Sequence, residues 1–287
     1  MTALSLHGVF TALVTPFTDD GSAIDFDAYR RLLELQLEAK VAGVVPCGTT
    51  GEAPTLTSAE QLELIRFTKE VVGSKIPVIA GAGSNATQKS IDGVKAALEA
   101  GADAVMIVMP YYNKPNQAGM IRHIEQIAGA VSAPIVLYNI PTRSIVELSV
   151  ASTLDVLASC PNVVGVKDAT GGLSYSQELV SRAGDRVALL SGDDPLTLPM
   201  MAVGACGVIS VASNLYPKEL VHLVNAASRG DFVAARREQF KLLPVFKALF
   251  EEPNPAPLKT ALASKGLMRP STPVSYTHLT LPTILRV

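Results

Sequence analysis

Eight short apolar runs, each followed by a stretch with a helical apolar face, constrain this chain more than any other feature. The runs are GVFTALVTPF (8–17), GVVPCGT (43–49), PVIAGAG (77–83), AVMIVMP (104–110), PIVLYNI (134–140), VVGVKDAT (163–170), VALLSGDD (187–194) and GVISVASN (207–214). They are nearly continuous in apolar character rather than alternating, which is the pattern of strands buried on both faces of a parallel sheet. Between them lie segments such as 25–40, where Leu32, Leu33, Leu35 and Leu37 crowd one broad face, and 57–72, which opens on Thr57, Ser58 and an acidic first turn. Eight strand–helix units within the first 230 residues predict an α/β protein of the (β/α)8 TIM-barrel class. A dinucleotide-binding open sheet is disfavoured, because no G-x-G-x-x-G follows the first strand. The catalytic barrel is expected over 1–230 and a C-terminal helical extension over 231–274, built from DFVAARREQFKLLPVFKALF and APLKTALASKGL. The last segment, SYTHLTLPTILRV (275–287), has no acidic residue and no helical face, and reads as an atypical tail, either non-native or native and divergent.

Several function classes fall away. A net charge of −2 offers no electrostatic footprint for nucleic acid or an anionic membrane. The three cysteines, Cys47, Cys160 and Cys206, are far apart and lack metal-ligand spacing, so they read as free thiols of a reducing compartment. The first residues show no basic n-region and no membrane-spanning run, so a cytoplasmic location is expected. The four histidines, His7, His123, His222 and His278, fall away from the strand ends, and no metal is expected. Asp193 and Asp194 could hold a cation, but before Pro195 they read as turn and cap residues.

In a barrel of this kind the working side chains sit where strands end. Those ends carry Thr49 and Thr50 in GTTGE, Tyr111 and Tyr112 in PYYNKP, Tyr138 and Arg143 in YNIPTR, Lys167 in GVKDAT, Gly192 in SGDD and Ile209 in GVISVASN. Lys167 is the anomaly, an ammonium group inside an apolar run. Alternation groups it with Val163 and Gly165, opposite Val164 and Val166. Facing the barrel interior, it would be desolvated toward the neutral amine, a nucleophile for carbonyl carbon, with Tyr138 as proton donor and acceptor. Alternatively, it is ion-paired with Asp168 for structural reasons. GTTGE is either a plain strand-to-helix turn or a nest of N–H groups and hydroxyls for a small carboxylate. Arg143 is either a surface ion-pair partner or a bidentate carboxylate ligand.

As an ordered set, GTTGE, PYYNKP, YNIPTR, GVKDAT, SGDD and GVISVASN resemble the pyruvate-dependent Schiff-base aldolase superfamily, and within it the dihydrodipicolinate synthase family, over nearly the whole chain. The resemblance implies condensation of pyruvate with L-aspartate 4-semialdehyde to 4-hydroxy-tetrahydrodipicolinate, with no added cofactor beyond a covalent lysine imine. It implies that Lys167 forms the imine and that Tyr138 shuttles protons beside it. Thr49 and Tyr112 complete a hydroxyl relay, Tyr112 in a neighbouring subunit's site. Thr50 would hold the pyruvate carboxylate and Arg143 that of the semialdehyde, while the backbone at Gly192 and Ile209 lines the lysine's pocket. A homotetramer, a dimer of tight dimers, is implied. Sugar-acid aldolases share the lysine and phenol, and an inactive keto-acid-binding relative is the other alternative. At the family's lysine-inhibition cleft this chain has Gln61 and Lys89, with Asn85 and Tyr111 retained, which implies weak or absent feedback by lysine.

Overall fold

A computed structural model describes residues 4–273, so the expected tail at 275–287 lies outside the described residues. The strands are β1 (Gly8–Ala12), β2 (Gly43–Val45), β3 (Ile79–Gly81), β4 (Ala104–Val108), β5 (Ile135–Asn139), β6 (Val163–Asp168), β7 (Ala188–Ser191) and β8 (Gly207–Ser210). All pairings between them are parallel, in the order β2-β1-β8-β7-β6-β5-β4-β3, and the isolated parallel bridge Val44–Val78 joins the two ends. This is the expected (β/α)8 barrel.

Eight helices fill the connections: α1 (Phe26–Ala39), α2 (Ser58–Val72), α3 (Thr87–Glu99), α4 (Gln117–Gly129), α6 (Val150–Ser159), α7 (Ser174–Ala183), α8 (Thr197–Ala202) and α9 (Pro217–Ser228). The short α5 (Pro141–Ser144) is inserted after β5, and α10 (Phe232–Ala248) and α11 (Ala256–Ser264) form the extension. Local chemistry sets the helix starts. Thr57 and Glu60 close a capping box on α2, and Asp25, Asn116, Ser149 and Asp231 accept first-turn N–H groups of α1, α4, α6 and α10.

Two buried layers follow from strand alternation. Phe10, Val45, Ile79, Met106, Val136 and Leu190 fill the barrel interior. Val9, Val44, Ile107, Leu137, Val166 and Val208 face the helices. Every strand ends one to five residues earlier than the apolar runs suggested, because the chain turns out of the sheet at the C-terminal rim while remaining buried. In β6 the simple alternation also fails. Ile135 pairs with Val163 but Val136 pairs with Gly165, a bulge that skips Val164. Val163 therefore packs in the outer layer and Val164 against the inner one, while Lys167 keeps its inward phase.

The rim loop after β2 depends on one glycine of β3. Cys47 is in the left-handed region at φ 57°, and a Cβ on Gly81 would lie 2.1 Å from the Cys47 carbonyl oxygen. Gly81→Ala should destabilise the protein by about 1–3 kcal/mol, measured by urea unfolding. It should also perturb the 47–52 loop, read as lost turnover at temperatures where the variant is folded.

Candidate active site

Lys167 and Tyr138 are register partners on adjacent strands, both 5% exposed. The Lys167 Nζ stands 4.1 Å from the centroid of the Tyr138 ring, a cation–π contact. Among the described residues the amine has no ion pair and no hydrogen bond. Asp168 is not its partner, because the next residue of a strand points to the other face. Its carboxylate instead accepts the Thr170 N–H and the Ser176 hydroxyl under α7. Gly192 makes room for the lysine: a Cβ there would sit 3.1 Å from Lys167 Cε. Ile209 is buried in the same inner cluster as Tyr138.

The Tyr138 ring also forms part of the wall of a cavity of about 810 Å³ that runs outward past Thr49, Arg143 and Tyr111 to Gln61 and Lys89. Of the GTTGE loop, Gly48 and Thr49 line it. Gly51 and Gly48 carbonyls are engaged, by the Thr15 hydroxyl and the Ala53 N–H. The N–H groups of Thr49 and Thr50 have no acceptor among the described residues. Two successive unsatisfied N–H groups beside buried hydroxyls make an anion-binding concavity, which favours the nest over the plain turn. Arg143, on α5, makes no carboxylate pair; its guanidinium donates to the Asn254 carbonyl oxygen at 3.1 Å.

Tyr112 stands apart. It is 85% exposed, with φ 71°, and no hydrogen bond joins it to Thr49 or Tyr138 among the described residues. One protomer thus brings the amine, the Tyr138 phenol, two threonines and the arginine to one rim, but not the Tyr112 phenol. Asp194 serves structure, its Oδ2 accepting the Val211 and Ala212 N–H groups and so tying the β7 rim to the β8 rim. It caps the following loop rather than its own turn. No group of three or more His, Cys, Asp or Glu side chains could hold a metal among the described residues.

Sequence reasoning missed the contribution of the extension. Glu52, the last residue of GTTGE, is fully buried at φ 57° and forms an ion pair with Lys259 of α11, also fully buried. Lys259 further donates to the Ser271 carbonyl oxygen at 2.8 Å and stands over the Phe17 ring. Burial pushes the Glu52 carboxyl up and the Lys259 amine down, in each case against their mutual attraction. The Asn254 side-chain amide, on the turn before α11, donates to Thr50 Oγ1 at 3.0 Å. The signal was present: Lys259 is a lone charge in the apolar APLKTALA, the same anomaly that marked Lys167.

A parallel barrel whose amine, phenol, hydroxyls and guanidinium converge at the strand C-termini is built as a barrel enzyme. The chain belongs to the dihydrodipicolinate synthetase family, whose model matches residues 5–279. It is 54% identical to the 4-hydroxy-tetrahydrodipicolinate synthase of Sorangium cellulosum over 268 residues, 93% of this chain and 89% of the relative. The structure of the enzyme of that name from Methylacidiphilum fumariolicum superposes with a TM-score of 0.96 at 42% identity, covering 98% of this chain and 93% of that one. A dihydrodipicolinate synthase variant described as monomeric gives 0.95 at 37% identity, covering 98% and 94%.

The buried pair makes a stability prediction. Lys259→Met alone strands the Glu52 carboxylate and should cost about 3–5 kcal/mol. The double variant Glu52→Gln, Lys259→Met should be the more stable of the two in urea unfolding near neutral pH.

Proposed function

We propose that this chain is a 4-hydroxy-tetrahydrodipicolinate synthase that condenses pyruvate with L-aspartate 4-semialdehyde through a covalent imine on Lys167. The observation that carries the assignment of the nucleophile is the Lys167 amine itself: buried, without a counter-ion among the described residues, and set against the Tyr138 ring.

The amine, as free base, adds to the keto carbon of pyruvate, and loss of water gives the iminium. The iminium withdraws electrons from the neighbouring methyl group, whose proton leaves to give an enamine. The enamine carbon attacks the aldehyde carbon of the semialdehyde, forming the new C–C bond, and the aldehyde oxygen takes up a proton. The semialdehyde's own amino nitrogen then adds to the iminium carbon and displaces the lysine, closing the ring. One water is released overall, and no cofactor enters. Tyr138 is the proton shuttle beside the imine, with Thr49 and Tyr112 as the rest of the relay. The Thr49–Thr50 loop receives the pyruvate carboxylate, Arg143 that of the semialdehyde, and Gly192 and Ile209 line the lysine's pocket.

A relay that includes Tyr112 requires a second subunit, since this tyrosine is exposed on its own protomer and bonds to neither Thr49 nor Tyr138 among the described residues. We therefore assign a homotetramer built from tight dimers. The reading places the enzyme in the cytoplasm: all three cysteines are free, and no helix among the described residues is long and apolar enough to cross a membrane.

Turnover is expected with pyruvate and aspartate semialdehyde and not with N-acetylmannosamine or glyceraldehyde as acceptor. Lys167→Ala should abolish it, together with covalent trapping of pyruvate by borohydride. Turnover with a sugar aldehyde instead would reassign the enzyme to the sugar-acid aldolases.

The same cavity predicts weak lysine feedback. The Gln61 amide is spent on the Ala53 and Leu56 carbonyl oxygens, and Lys89 brings a cation to the wall where a cationic amino acid would have to sit. Lysine titration of the turnover rate should give no half-inhibition below about 1 mM, since like charges disfavour binding; inhibition there would overturn this reading.

A further inference from the structure

The turn between α10 and α11, and α11 itself, reach back to the catalytic rim at one point each. Asn254 meets Thr50, and Lys259, five residues later, meets Glu52, two residues after Thr50. We propose that Asn254 is a positioning residue that sets the hydrogen-bond polarity of Thr50 and holds Arg143 at a fixed reach from it. The proposal rests on the reading of Thr50 as the pyruvate-carboxylate ligand.

A threonine hydroxyl has one proton and two lone pairs. Asn254 Nδ2 donates to Thr50 Oγ1 at 3.0 Å, so that oxygen is an acceptor toward the extension. Thr50 Oγ1 donates to no group among the described residues, and its hydroxyl proton is left free for a ligand. Without the amide, the hydroxyl could turn and no longer be committed as a donor. With it, the Thr50 O–H joins the unsatisfied N–H groups of Thr49 and Thr50, and three donors are available on one short loop. Three donors on one short loop favour an anion over a neutral carbonyl compound.

The same residue acts on the second carboxylate position. The Asn254 backbone oxygen accepts from Arg143 Nη2 at 3.1 Å, which leaves the other guanidinium N–H groups for a ligand. Asn254 is 5% exposed, and its place is anchored by the buried Lys259–Glu52 pair, so it behaves as a fixed spacer between the two recognition groups. It touches the recognition groups; on this proposal it does not touch substrate.

The test is a double-mutant cycle of Asn254→Ala and Thr50→Val, read as separate KM values for pyruvate and semialdehyde, kcat, and the pyruvate dependence of borohydride trapping. Asn254→Leu, of similar bulk and without a donor, runs in parallel and carries the test if the alanine variant does not fold. Asn254→Ala or Asn254→Leu should raise the pyruvate KM and the trapping midpoint about tenfold, the scale of one hydrogen bond to a charged group, with kcat changed by less than about threefold. Adding either to Thr50→Val should raise the pyruvate KM no further. Independent, multiplying effects, or a loss confined to kcat, would mean a merely structural role and overturn the proposal. A raised pyruvate KM in Thr50→Val with none in the Asn254 variants would overturn it while sparing the reading of Thr50. An unchanged pyruvate KM in Thr50→Val would overturn both.

Discussion

Parallel strands satisfy their edge N–H and C=O groups by closing on themselves, and here the closure is narrow. β2 and β3, three residues each, meet through the Val44–Val78 bridge, with the Val44 N–H donating to the Pro77 carbonyl oxygen. Closure brings the C-terminal ends of all eight strands to one rim, and every candidate site residue lies there because of it. The seam also crowds that rim. Gly81 of β3 passes so close to Cys47 that no side chain fits, and the chain after β2 must turn sharply through left-handed residues at Cys47 and Glu52. For non-glycine residues that conformation is costly and persists where the surroundings over-determine it. The strained turn leaves the Thr49 and Thr50 N–H groups without acceptors among the described residues, so the seam that completes the barrel also supplies the free donors on which the proposed carboxylate site rests.

Much of this was legible in the residues. Apolar runs and helical faces gave all eight strands, and Lys167 stood out because a charge in such a run needs a reason. What failed has physical causes. The runs overstated strand length because burial continues past the sheet: Pro46, Cys47 and Thr50 are buried like Val44, yet beyond the Pro46 carbonyl oxygen, which accepts the Gly81 N–H of β3, their partners are Gln61 of α2 and Asn254. One of the three residues read as inward on β6, Val163, was wrong, since a bulge at Val164 changes phase and periodicity carries no register information. Lys167 could have been paired with Asp168 on sequence grounds; the pleat separates neighbours, and Asp168 is satisfied by Thr170 and Ser176.

The extension was the larger omission. It follows a complete barrel, and nothing local connects residue 254 or 259 to residues 50 and 52. Contacts of about 200 residues' separation are set by topology, not by periodicity. The one available clue was Lys259 in an apolar helix. Two lysines in apolar surroundings thus divide by their partners. Lys259 meets a buried carboxylate, a carbonyl oxygen and a ring, whereas Lys167 meets a ring alone.

That contrast explains how the site tolerates an uncommitted amine. A carboxylate within reach of Lys167 would bind it as an ion pair and withdraw it from chemistry. The rim does carry buried carboxylates, and each has its partners away from Lys167. Asp168 turns outward to Ser176, Asp194 accepts two N–H groups of the β8 rim, and Glu52 is held by Lys259 on the far side of its loop. Glu52 is the nearest of them in sequence to Thr49 and Thr50, and unpaired it would set a negative charge beside the proposed carboxylate site. The α11 lysine is therefore electrostatic as well as mechanical in effect: it neutralises the one acid that the strained turn carries beside that site, and it does so from outside the barrel, leaving the interior to the amine and the phenol.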